Sequence, residues 1–180
     1  MQKIIDKVYK ISLDGNVYFL DLNKKIVIDT SSSTNRDLIE KELNCDAIDI
    51  VIFTHLHYDH IGNWDLFKNA KFYASDSEID FFSKVRLGTV LDAKTLKNFK
   101  VKLNKLSTLN LDYLQVINTP GHTIGSICLL YKNVLFSGDT LFDTCSGRID
   151  LPSSMPKEMK KSLALLKKIK YSILCPGHDY

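Results

Sequence analysis

The chain has 180 residues, 44% apolar and 25% charged, with 24 basic against 21 acidic side chains and a net charge of +3. That length buries roughly 70% of the unfolded surface, which is enough for one domain over 1–180 without disulfide staples. The mild charge comes from lysines spread along the chain, which argues against nucleic acid as a partner, and no segment reaches the ~20 apolar residues of a membrane helix.

Met1–Lys7 has no long apolar stretch or cleavage site, so no signal peptide is expected. Cys45, Cys128, Cys145 and Cys175 are widely spaced and form no Cys-x-x-Cys pair, so a reduced, cytoplasmic protein is expected. Val8–Leu13 and Val17–Leu22 are apolar-rich runs around Asp14-Gly15-Asn16, a hairpin signal. Lys25–Asp29 reads as a third strand. Ser31–Thr34 offers cap candidates for a helix over Asn35–Leu43. Ile48–Thr54 is a continuous apolar run, as in a buried strand.

Further on, a short helix is predicted at Trp64–Lys68, a strand at Lys71–Ala74 and a helix at Asp76–Ser83. Arg86–Lys105 is the least regular stretch, with a helix expected at Leu91–Phe99. Leu111–Asn118, Gly125–Tyr131 and Val134–Phe136 read as strands, Pro156–Lys170 as an amphipathic helix and Ser172–Cys175 as a last strand. The pattern is an α/β one without internal repeats.

All five histidines fall in three short segments. His55, His57 and His60 lie in Thr54-His55-Leu56-His57-Tyr58-Asp59-His60, His122 follows Pro120-Gly121, and His178 follows Pro176-Gly177. Asp139 follows Ser137-Gly138. Each candidate comes just after an expected strand, where a rigid sheet presents functional groups on loops. His55, His57 and His122 make a three-nitrogen set with an open position for water. Asp59, His60 and His178 make a mixed oxygen and nitrogen set. Asp139 has two acceptor oxygens and can bridge two ions. Two such ions form a hydrolytic device that supplies its own water nucleophile, so no Ser or Cys nucleophile is needed.

The series His55-x-His57-x-Asp59-His60, then His122, Asp139 and His178, resembles the metallo-β-lactamase superfamily, and Asp29 looks like its first motif. The resemblance runs from Val8 to Tyr180. It implies a four-layer αββα sandwich with two divalent metal ions at one edge, zinc first and iron as the alternative. It assigns His55, His57 and His122 to one ion, Asp59, His60 and His178 to the other, and Asp139 to both. Asp29 is expected behind the ligands, orienting one of them.

Gly138-Asp139-Thr140-Leu141-Phe142 with Ser146-Gly147-Arg148, and the terminal Gly177-His178-Asp179-Tyr180, are similar to glyoxalase II. That likeness implies hydrolysis of an ester or thioester, with Arg148 and Tyr180 as candidate substrate contacts; Tyr58, lying between candidate ligands, is a third, and the mild positive charge points to a small anionic substrate. Glyoxalase II continues into a helical domain that this sequence does not contain. Gly147-Arg148-Ile149-Asp150 and His178-Asp179-Tyr180 are also similar to persulfide dioxygenases, in which residues matching His55, His122 and Asp139 hold one iron. A non-catalytic metal-binding protein is the third alternative.

Overall fold

The computed structural model describes residues 1–179. Two β-sheets lie face to face, with helices on both outer sides. The larger sheet has seven strands in chain order: β1 (Gln2–Ile5), β2 (Val8–Ile11), β3 (Val17–Asp21), β4 (Lys25–Ile28), β5 (Ile50–Ile52), β6 (Lys71–Ala74) and β7 (Leu103–Lys105). Pairing is antiparallel up to β4 and parallel from there. The smaller sheet contains β8 (Gln115–Asn118), β9 (Ile127–Tyr131), β10 (Val134–Gly138) and β11 (Ile173–Pro176) in reverse spatial order. Only its β10–β11 pair is parallel.

The strands are apolar on both faces because each sheet is covered on both sides. In β3, Val17 and Phe19 join an outer core with Ile39 of α1 (Arg36–Glu42) and Val90 of α4 (Arg86–Val90). Tyr18 and Leu20 point the other way and meet Ile127, Leu129 and Phe136 of the smaller sheet. Leu135 and Cys128 take the far face, against Leu166 of α6 (Pro156–Leu166). A slip of one residue in any central strand would exchange these faces, so register is tightly specified. Each fully buried Leu, Ile or Phe contributes roughly 1.5–3 kcal/mol.

The structure departs from the sequence expectations at several boundaries. The hairpin between β2 and β3 closes with Ile11 opposite Val17, so residues 12–16 form its loop. Ser31 and Ser32 do not cap α1. Their hydroxyls donate to Asp14, and the cap residue Asn35 makes no side-chain cap bond. Trp64–Leu66 is a 3₁₀ turn. The strand expected over Leu111–Asn118 begins only at Gln115. The irregular 86–105 stretch resolves into α4, α5 (Ala93–Asn98) and the edge strand β7. Leu91, expected inside a helix, sits at φ 64° and ends α4 instead. Asp76–Lys84 is α3, and a one-turn helix, α2, covers Tyr58–Ile61. No helix among the described residues is long and apolar enough to cross a membrane.

Candidate metal centre

Every expected ligand leaves the C-terminal end of a strand at the same edge of the sandwich. His55 and His57 follow β5, and Asp59 and His60 lie on α2, the next turn. His122, Asp139 and His178 follow β8, β10 and β11. The larger sheet therefore supplies one half of the cluster and the smaller sheet the other.

The side chains form two groups. His55 Nε2 and His122 Nε2 lie 3.0 and 2.9 Å from His57 Nδ1. His60 Nε2 and His178 Nε2 lie 3.3 Å apart, with Asp59 Oδ2 at 3.5 Å from His178 Nε2. Asp139 stands between the groups. Its Oδ1 is 3.3 Å from His60 Nε2, and its Oδ2 is 3.3 Å from His178 Nε2 and 3.5 Å from His122 Nε2. All five histidines and Asp139 are buried.

The outer ring nitrogens explain why the inner ones converge. His60 Nδ1 donates to Asp29 Oδ2 at 2.8 Å, and His122 Nδ1 donates to the Arg148 carbonyl at 2.8 Å. His178 Nδ1 is bonded to the Asp14 carbonyl. The Thr54 hydroxyl donates to Asp29 Oδ2 at 2.7 Å, so it can only accept from His55 Nδ1 at 3.1 Å. When these rings are neutral, the outer bonds leave the lone pair of His55, His60, His122 and His178 on Nε2. Asp29 thus braces His60 directly and His55 through Thr54, whose N also donates to it at 2.8 Å. Its φ of 58° turns the chain sharply after β4, a conformation Asp tolerates better than most residues.

This donor set fits metal ions. His57 Nδ1 has at most one proton to offer two facing lone pairs, whereas a cation satisfies all three nitrogens together. Zinc–nitrogen bonds of about 2.0–2.1 Å in a tetrahedron place ligand atoms ~3.3 Å apart, close to the spacings found. Asp139 Oδ1 is buried without a hydrogen bond. At Gly177 a Cβ would strike that same oxygen, so only glycine lets the loop after β11 pass so close to Asp139. The clusters His55–His57–His122, Asp59–His60–His178 and His55–His60–Asp139 can each hold an ion.

Electrostatics separate the histidines. Burial pushes His55 and His57 well below the ordinary imidazole value, and neighbouring imidazoles push the same way. Burial also lowers His122, against the pull of Asp139. For His60 burial is outweighed by the Asp139 and Asp29 carboxylates, which raise it well above the usual value. Asp139 likewise raises His178 over the effect of burial. Asp139 itself would be raised by burial, but His60 and His178 hold it well below the carboxylate range.

The centre forms the floor of a 340 Å³ cleft whose walls include Tyr58, Leu91, Phe142, Cys145, Arg148 and Leu151. Tyr58 is exposed at the rim. Arg148 brings its carbonyl to His122, but its side chain is 66% exposed and bidentate to Asp150, with both contacts at 2.9 Å. Tyr180 lies outside the described residues. Sequence reasoning missed four supports: Thr54, the Asp14 and Arg148 carbonyls, and Glu78. Glu78 was legible only as a first-turn acid of α3.

A family model described as the metallo-beta-lactamase superfamily matches residues 12–80 and 106–178. The chain belongs to the metallo-beta-lactamase superfamily. Within the superfamily it is 37% identical over 150 residues to the "Probable metallo-hydrolase MJ0296" of Methanocaldococcus jannaschii, covering 81% of this chain and 65% of that protein. It is 36% identical over 106 residues to a hydroxyacylglutathione hydrolase of Psychromonas ingrahamii, covering 57% of this chain and 36% of the relative. The superfamily fold is shared with the crystal structure of TTHA1623 in a di-iron-bound form, at TM-score 0.79 and 24% identity over 96% of this chain and 93% of that one. The chain thus spans about two thirds of the first relative and about a third of the second.

Proposed function

We propose that the protein is a hydrolase of small esters or thioesters that works with two divalent ions, zinc in the first instance. The observation that carries this reading is the pair of three-donor clusters with Asp139 between them on the floor of an open cleft. His55, His57 and His122 would hold one ion, Asp59, His60 and His178 the other, and Asp139 would contact both. When bound, such a pair supplies an acidified water as nucleophile and Lewis-acid stabilisation of developing negative charge.

The chain's own groups do the rest. The outer hydrogen bonds fix the ligand tautomers before anything binds. Leu91, Phe142 and Leu151 give the acyl group an apolar wall. Arg148 can take a carboxylate on the substrate only by releasing Asp150, its present bidentate partner. The likeness to a hydroxyacylglutathione hydrolase supports a thioester. Beyond the one-iron set of His55, His122 and Asp139, the converging donors Asp59, His60 and His178 support a second ion.

The test starts with protein purified without added metal. It should carry two ions per chain and turn over members of a thioester panel. His57→Ala should reduce that turnover to background. Wild-type-like turnover by His57→Ala at matched metal content would refute the assignment. One iron per chain, with oxygen uptake on a persulfide, would establish the dioxygenase reading in its place.

A further inference from the structure

Glu78 sits in the first turn of α3 and is fully buried. It does not touch any candidate ligand, yet both of its oxygens are occupied. Oε1 accepts from Leu56 N at 3.1 Å. Oε2 accepts from Thr123 Oγ1 at 2.8 Å and Gly125 N at 2.9 Å. Leu56 is the residue between His55 and His57, and Thr123 follows His122. One carboxylate therefore ties together the only two segments that carry the first donor cluster, one from each sheet.

The local sequence makes this unusual. Ser75-x-x-Glu78 has the spacing of a capping box, in which the glutamate returns to the serine's own N–H. Only half of the box forms, with Ser75 accepting from Glu78 N at 3.2 Å. The Glu78 side chain turns away to the loops, and the Ser75 hydroxyl donates to the Gly125 carbonyl at 2.5 Å. A Cβ at Gly125 would strike the Glu78 backbone and Ser75 Oγ, so the His122 turn is pressed directly onto the start of α3. Burial pushes the Glu78 carboxyl up from its ordinary value, and its three hydrogen bonds pull against that.

The second cluster is held by other groups. The His60 carbonyl accepts from Thr30 N at 2.7 Å, and Gly62 N donates to the Ser31 carbonyl at 2.8 Å. Gly177 is fixed by Asn16 and Gly138, with N–H···O distances of 2.7 and 2.8 Å.

We propose that Glu78 is the positioning residue of the first metal site: it sets the separation of the His55–His57 segment from His122, and thereby that site's affinity, without contacting an ion. This rests on the two-site reading above. A glutamine at 78 would turn one acceptor into a donor that faces N–H and O–H groups already donating, so the two segments would move apart. The second site, anchored elsewhere, would be spared.

The test is a cobalt(II) titration against a competing chelator, followed by visible absorption. His57→Ala and His178→Ala first establish which equivalent belongs to which site. Glu78→Gln is expected to weaken the equivalent lost in His57→Ala by ~10-fold or more and to leave the other within about threefold. Thr123→Val, which removes one donor without burying a new polar group, should weaken the same equivalent by about threefold or more. It decides the matter alone if Glu78→Gln does not fold. Equal weakening of both equivalents would mean that Glu78 is merely structural and would overturn the inference. So would a first site left unaltered by both variants. A wild-type chain holding fewer than two ions, or His57→Ala and His178→Ala removing the same equivalent, would overturn the two-site reading and this inference with it.

Discussion

Replacing Asp29 by asparagine isolates one hydrogen-bonding oxygen beneath the centre. The shape is conserved, and asparagine tolerates the φ of 58° as aspartate does. Three groups donate to the wild-type carboxylate: Thr54 N, Thr54 Oγ1 and His60 Nδ1, at 2.8, 2.7 and 2.8 Å. Asparagine offers one oxygen and an NH₂. The threonine hydroxyl can rotate and accept, but either Thr54 N–H or His60 Nδ1–H is then left without an acceptor in a site only 2% exposed. That costs about 1–3 kcal/mol. In a chain of this length it lowers the melting temperature of the metal-free protein by ~2–12 °C. The same loss frees the His60 ring and should weaken the ion held with Asp59 and His178 by ~10–100-fold. Calorimetric melts of stripped protein and chelator competition read the two effects separately. A melt and an affinity both indistinguishable from wild type would refute the idea that Asp29 orients His60.

Removing metal should itself be visible in stability. An ion present at ~1,000 times its dissociation constant stabilises a folded chain by about 4 kcal/mol, so a chelator should lower the calorimetric melting temperature by ~8–16 °C. An unaltered melt would mean that the folded chain holds no ion at those ligands. The clusters should also differ in proton release. His60 and His178 have raised values, so their stabilisation of the metal-free fold is complete below the unfolded value of about 6.5 and is lost as pH rises through their folded values. An ion entering their cluster must displace those protons, and its affinity should climb with pH through neutrality. His55, His57 and His122 are lowered and have none to give. Titration calorimetry in buffers of different ionisation enthalpy measures the difference, and equal release from both clusters would contradict it.

The convergence of the side chains from His55 to His178 was legible in the sequence, because a metal site would demand such residues at strand ends. The central strands were legible because runs such as Ile50–Ile52 and Val134–Phe136 have no polar residue to expose. Less was visible wherever tertiary contacts overrule local preference. β1 offers little apolar signal, since Gln2 and Lys3 are exposed on an edge strand. Leu91 gives no hint of its left-handed backbone, which closes α4 just before α5 begins. Ser31 and Ser32 looked like caps but serve Asp14, whose position is fixed by a hairpin far away in sequence. Glu78 stood out only as an acid in the first turn of a helix, and only the arrival of two remote loops shows where its carboxylate goes. The supports of the site are harder to read than the site because backbone atoms, such as the carbonyls of Asp14 and Arg148, do much of the holding.

Each donor cluster draws from both sheets: His55 and His57 face His122, and Asp59 and His60 face His178. An ion in either cluster would therefore act as a clasp between layers whose shared core is apolar and which a few hydrogen bonds, such as those of Asn16, Tyr18 and Glu78, already tie at this edge. The apolar contact by itself resists sliding poorly, because it has no directional bonds along the sheet plane. A clasp also closes a long stretch of chain into a loop, which withdraws conformations from the unfolded ensemble much as a disulfide does. The edge that would perform the chemistry would then also lock the two halves of the sandwich in register, in a protein whose widely spaced cysteines supply no such lock.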